Sequence, residues 1–124
     1  MLERLRHEAA TKLAQITACT LATTGPAGIY ASWERCTSHG LRLYLLIAAA
    51  PDHVLNIETT GEVALAGDSW HLVGKGICLV ETSGPWLLTR QPWQVVVEVI
   101  PARLYLAGEH EQMMQSIDFA PLYP

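Results

Sequence analysis

Thr17-Ala-Cys-Thr-Leu-Ala-Thr23, Thr24-Gly-Pro-Ala-Gly28, Ile29-Tyr-Ala-Ser-Trp-Glu-Arg-Cys36, Thr37-Ser-His-Gly40 and Leu41-Arg-Leu-Tyr-Leu-Leu-Ile47 follow one another without a break. The first, third and fifth pieces are short and β-tolerant. The second and fourth are turns by composition. Ile29, Ala31 and Trp33 fall on one face of the middle strand, with Tyr30, Ser32 and Glu34 on the other. Leu41, Leu43, Leu45 and Ile47 point inward on the third. Three strands joined by turns of about four to five residues predict an antiparallel meander.

On the N-terminal side, Leu2, Leu5, Ala9, Leu13 and Ile16 recur every three or four positions, which predicts a helix over residues 2–16. On the C-terminal side, Pro51 suits the first position of a short helix running to about Thr59. Val54, Leu55 and Ile57 would hold that helix to the sheet, and Gly61 would end it. Glu62–Ala66 reads as a fourth strand and Trp70–Val80 as a fifth. Gly74 and Gly76 within the fifth mark a bulge, a bend or a close backbone approach. Ser83-Gly-Pro85 breaks the pattern. Trp93, Val95, Val97 and Val99 alternate along a strand that Pro101 interrupts, and Ala102–Ala107 follows as the last. Glu109–Ile117 reads as a short helix, and Ala120–Pro124 as an extended tail. The whole predicts one domain over 1–124, with 1–16 its N-terminal helix and 108–124 a C-terminal helix and tail. It is mainly β (α+β), a six- to seven-stranded antiparallel barrel with a short helix after strand three.

Half the 124 residues are hydrophobic and 16% are charged. That excludes intrinsic disorder, which needs low hydrophobicity and high charge. A net charge of −4 argues against wholesale nucleic-acid binding. The longest apolar run, Leu43–Ala50, is far below the roughly twenty residues of a spanning helix, and no polybasic stretch suits a membrane surface. The expectation is a soluble, cytoplasmic protein. Cys19, Cys36 and Cys78 show no CxxC spacing and read as buried, inert thiols. The five histidines are scattered, so no metal site is expected. Glu34 and Glu98 read as solvent-facing strand positions.

Leu21–Gly28, the Gly40 turn, Leu43-Tyr-Leu-Leu-Ile47, His53-Val-Leu-Asn-Ile57 and Glu62-Val-Ala-Leu65, in that order, resemble the pyridoxamine 5′-phosphate oxidase-like, FMN-binding split-barrel family. Val73-Gly-Lys-Gly76, Val97-Glu-Val-Ile-Pro101 and Arg103-Leu-Tyr105 extend the resemblance, which covers roughly residues 15 to 107. It implies a split barrel, a homodimer and FMN in the cleft between two copies, possessed of small-oxidoreductase chemistry. No catalytic residue is identifiable. The cofactor-binding candidates are Ser32, Trp33, Arg35, Arg42, His53 and Asn56; of these Arg35 and Arg42, like Arg90, could reach a phosphate, and Trp33, like Trp70, could line a ring-sized slot.

The chain departs from the family pattern where the phosphate should sit. The family's Ser-x-Lys falls on Pro51-Asp52-His53. A serine hydroxyl is gone, the lysine becomes a histidine, and Asp52 adds negative charge. Such a barrel could instead have lost FMN, serving as a structural or small-molecule-binding dimer, or could hold haem or a deazaflavin.

Overall fold

The computed structural model describes residues 1–49, 51–79, 91–107 and 114–124. Its elements are α1 (Leu2–Ala14), β1 (Ala18–Gly25), β2 (Gly28–His39), β3 (Arg42–Ala48), α2 (Pro51–Thr60), β4 (Glu62–Ala66), β5 (Trp70–Leu79), β6 (Gln94–Ala107), β7 (Met114–Asp118) and a 3₁₀ turn, Ala120–Leu122. Every strand pairing is antiparallel, and the sheet order is β3-β2-β1-β4-β5-β6-β7. A further β3–β6 pairing, from Leu43 with Val99 to Ala48 with Gln94, closes six strands into a barrel. The seventh strand lies outside the closure, on the far half of β6.

The expected meander is present. Its first turn is a tight hairpin in which Gly25 pairs with Gly28. Gly28 has φ +106°, a left-handed value that glycine adopts without strain. The inner faces of the strands supply Cys19, Leu21, Leu43, Leu45, Ile47, Val63, Leu65, Leu72, Val97, Val99 and Leu104, all buried. Ala9, Leu13 and Ile16 join this core from the α1 end of the chain, and Phe119 and Leu122 from the tail. The α2 helix packs on β1, β5, β2 and β4. Gly61, at φ +73°, terminates it as expected.

The structure decides which face of β2 is the inner one and corrects several local expectations. Trp33 is 67% exposed and Ile29 86% exposed, so their face of β2 points outward. The opposite face, Ser32 and Glu34 leading to buried Cys36, turns inward. Leu55 is exposed, while Asn56 and Ile57 face the barrel. On a helix, neighbouring positions differ by about 100°, so Leu55 cannot share a face with both Val54 and the buried pair. Pro101 does not interrupt the last strand, because it lies opposite Gly74, where the β5–β6 register shifts by a bulge. A Cβ on Gly74 would come within 2.4 Å of the Ile100 carbonyl oxygen. The missing side chain and the proline thus occupy one irregularity, and β6 runs on as a single strand. Trp93 is exposed, and buried Val96 shows that β6 is covered on both faces there.

Residues 114–117, expected to be helical, instead belong to β7, which pairs with Arg103–Ala107. The remainder of that expected helix, residues 109–113, lies outside the described residues, as do Val80, the Ser83-Gly-Pro85 break and Arg90. The expected extended tail instead opens with a 3₁₀ turn over Ala120–Leu122, and only then does Tyr123 take extended backbone angles. It turns because Phe119 and Leu122 both insert into the core. Glu98 is not merely a solvated strand position: its carboxylate accepts the Tyr44 hydroxyl at 3.0 Å. Burial, with that bond second, pushes the Tyr44 pKa up to about 12. Cys19 and Cys36 are buried, whereas Cys78 is half-buried.

Candidate functional site

Polar side chains converge where α2 leans on the first hairpin. Thr23 sits on the inward face of β1, in alternation with Cys19 and Leu21, and is buried. Ser32 sits on the inward face of β2. His53, from the first turn of α2, lies between them: Nδ1 is 2.7 Å from Thr23 Oγ1, and Nε2 is 2.8 Å from Ser32 Oγ. Asn56, one turn further along α2, is fully buried. Its amide nitrogen donates to Thr23 Oγ1 at 3.2 Å and to the Gly28 carbonyl at 2.9 Å. Its amide oxygen accepts the Ala27 N–H at 3.0 Å. At the other end of the chain of bonds, Ser32 Oγ lies 3.0 Å from Glu34 Oε1.

The i, i+3 spacing of His53 and Asn56 puts both on one face of α2. The period-two spacing of Ser32 and Glu34 does the same on β2. One continuous hydrogen-bonded chain therefore runs Asn56–Thr23–His53–Ser32–Glu34. Two proton arrangements satisfy it. With the proton on Nε2, His53 donates to Ser32, which donates to an ionised Glu34. With the proton on Nδ1, His53 donates to Thr23, and Nε2 accepts the Ser32 hydroxyl.

Burial sets the charge state of both titrating members. It pushes the Glu34 carboxyl above its usual value, with the Ser32 bond opposing. It pushes His53 below its usual value, with Asp52 opposing. A neutral imidazole is therefore favoured at neutral pH. Beside the chain is a pocket of about 190 Å³ bounded by Tyr30, Ser32, Glu34, Ala48, Asp52 and His53. The Tyr30 ring meets the imidazole edge-on at 6.3 Å between centroids.

Of the six expected cofactor residues, the structure brings Ser32, His53 and Asn56 together. Trp33 and Arg35 are also on β2 but face the opposite way, outward. Arg42 begins β3, whose other end, Ala48, reaches the pocket. Six residues of strand separate them, roughly 20 Å at about 3.3 Å per residue. The Arg42 guanidinium instead lies 4.6 Å from the centre of the Tyr123 ring. Trp70 packs against the barrel core. The sequence reading missed Thr23 and the role of Glu34. A threonine between Leu21 and Gly25 on an otherwise apolar inner face was the available signal. Among the described residues no group of three His, Cys, Asp or Glu side chains could hold a metal ion, and no helix is long and apolar enough to cross a membrane.

The pocket does not suit the phosphate of FMN. A phosphate dianion requires a cation as well as helix N–H donors such as those of the first turn of α2. Among the described residues, the charged groups on the wall are Glu34 and Asp52, and neither lysine nor arginine lines it. His53, held neutral with both ring nitrogens bonded, does not replace the missing lysine. A haem would equally lack a free axial nitrogen from His53.

The outer face of the sheet carries a second feature, a groove of about 680 Å³. Ala22, Ala64, Ala102, Ile29 and Val73 are among its lining residues, with Glu62 and Lys75.

No family model and no curated protein matches the chain. Solved structures do. General stress protein 26 of Bacillus anthracis is 15% identical, with a TM-score of 0.63 over 89% of this chain and 97% of that one. A Clostridium acetobutylicum protein related to general stress protein 26, described as of the pyridoxinephosphate oxidase family, is 13% identical, with a TM-score of 0.68 over 99% of both chains. A haem-binding protein of Mycobacterium smegmatis is 14% identical, with a TM-score of 0.61 over 94% of this chain and 57% of that one.

Proposed function

Because the chain has the split-barrel fold of the pyridoxamine 5′-phosphate oxidase-like proteins, we propose that it is a homodimeric ligand-binding barrel that keeps the cleft of that fold but not its FMN phosphate site. One observation carries the reading. The histidine that falls where the family resemblance puts a lysine is tied to Thr23 and Ser32 and flanked by Glu34 and Asp52, with no cation on the pocket wall among the described residues. Its ligand is a small molecule without a phosphate. Losing each charge-assisted bond costs about 1.5–3 kcal/mol, and more than one is missing.

The second copy packs on the outer face. Ile29 and Trp33 are large, apolar and mostly exposed there. Ile29 lines a groove to which Ala22, Ala64 and Ala102 also belong. A two-fold axis would let Ile29 of each copy enter the other's groove, the self-complementary contact that cyclic dimers use.

The flavoprotein reading keeps one support, the 99% mutual coverage with the Clostridium protein of the pyridoxinephosphate oxidase family. Titration of the purified chain with FMN, followed by quenching of flavin fluorescence, separates the two. The expected result is no saturable binding tighter than about 0.1 mM, since several charge-assisted bonds are lost. A micromolar dissociation constant, or protein purified yellow with a flavin spectrum, would overturn the proposal and restore FMN.

A further inference from the structure

We infer that Ser32 and His53 form a nucleophile–base pair that accepts an acyl group from a small ester or thioester. The inference rests on the reading that this pocket takes a small ligand in place of a phosphate. An activated hydroxyl needs three things: a base within hydrogen-bond reach, a third group orienting the base, and space for the substrate. All three are present. Ser32 Oγ lies 2.8 Å from His53 Nε2. The other ring nitrogen lies 2.7 Å from Thr23 Oγ1, and Thr23 is held in turn by the fully buried Asn56. The pocket of about 190 Å³ adjoins both Ser32 and His53 and has room for an acetyl-sized group.

The proton arrangement matters. With Nδ1–H donated to Thr23, Nε2 is free to accept the Ser32 proton. Oγ then forms a bond to the carbonyl carbon of the substrate as its proton passes to Nε2. Collapse of the tetrahedral intermediate breaks the bond to the leaving alcohol or thiol, which takes the proton from Nε2. Water, deprotonated by the same nitrogen, releases the acid and restores the Ser32 hydroxyl. The first turn of α2 borders the pocket through Asp52 and His53. Its N–H groups have no acceptor within the helix and are available to a developing oxyanion.

Glu34 bears on the same hydroxyl from 3.0 Å. Protonated, it donates to Oγ and leaves the hydroxyl proton for His53. Ionised, it competes with His53 for that proton and slows the attack. Among the described residues, the other titratable groups facing the pair are Asp52 and Tyr30.

The test mixes the full chain with p-nitrophenyl acetate, follows nitrophenolate release and locates the acetyl group by peptide mass spectrometry. A burst with acetyl on Ser32 is expected. Ser32→Ala should abolish both, His53→Gln should slow the burst about 100-fold, and Glu34→Gln, which cannot ionise and take the Ser32 proton, should make the burst faster. Thermal unfolding of each variant checks its fold. Should Ser32→Ala not fold, the position of the acetyl group in the natural chain decides alone. Acetyl found only elsewhere, such as on Lys12 or Lys75, would overturn the inference. So would a burst unchanged in His53→Gln and lost in Glu34→Gln, which would make Glu34 the base. These outcomes do not depend on the FMN titration, so either result can fail without the other.

Discussion

Asn56 reaches from the buried face of α2 to the carbonyl of Gly28, 2.9 Å away, and so ties the helix to the first hairpin. The same side chain accepts the Ala27 N–H. The contact also explains why residue 25 is glycine, since a Cβ there would lie 2.7 Å from Asn56 Oδ1. Asn56→Ala leaves the Ala27 N–H and the Gly28 carbonyl without this partner. A stability loss of about 1–3 kcal/mol is expected, at a net worth of about 0.5–1.5 kcal/mol for each of these two bonds at the partly exposed hairpin. Urea denaturation measures it, and a loss below about 0.5 kcal/mol, the size of an ordinary surface change, would show that the hairpin is held by other means.

Acidification should destabilise the protein through His53. Its pKa in the folded chain is lowered by burial from the ordinary 6.5, so the unfolded chain binds the proton more readily. This contribution is complete above about pH 6.5 and is lost as pH falls towards the folded value. Glu34 acts with the opposite sign. Its folded pKa is raised above the ordinary 4.5, so its contribution is complete below that pH and fades as pH rises through the folded value. Melting temperature against pH should therefore fall less steeply below 6.5 in His53→Gln than in the natural chain. Glu34→Gln should melt higher than the natural chain at pH 7. Parallel curves for all three proteins would remove both groups from the linkage.

Gly74→Ala should be costly even though alanine is small. Its Cβ would meet the Ile100 carbonyl oxygen at 2.4 Å and the Cα of Pro101 at 3.1 Å. Both are backbone, so relief requires moving β6 at its bulge. A loss of about 1–3 kcal/mol is expected, typical of overpacking. A melting temperature unchanged from the natural chain would mean that the bulge yields freely.

Ile29→Lys should separate the proposed dimer and leave each barrel folded. The side chain is 86% exposed in the single chain, so the substitution costs the monomer little. Light scattering should change from a dimer to the 13.6 kDa chain mass with an unaltered circular dichroism spectrum. A natural chain that is already monomeric at micromolar concentration would sink the dimer. A dimer surviving Ile29→Lys would put its interface elsewhere.

The meander, the helix opened by Pro51, and its stop at Gly61 were legible in the sequence because each rests on local chemistry. Alternating side chains, a proline's missing N–H and a glycine's positive φ act within a few residues. The inward row Leu43, Leu45 and Ile47 was legible for the same reason. Three things required the closed barrel. Pro101 reads as a break until Gly74, distant along the chain, is set opposite it. Residues 114–117 become a strand because the far half of β6 offers them an unpaired edge. The face of β2 that turns inward is the polar one, because α2 brings His53 and Asn56 down on Ser32 and Thr23. Alternation along β2 places Ser32 and Trp33 on opposite faces but does not say which meets the barrel. Hydrogen-bond partners 21 and 30 residues away along the chain made that choice, and with it converted an expected cationic anchor into a neutral, hydrogen-bonded histidine.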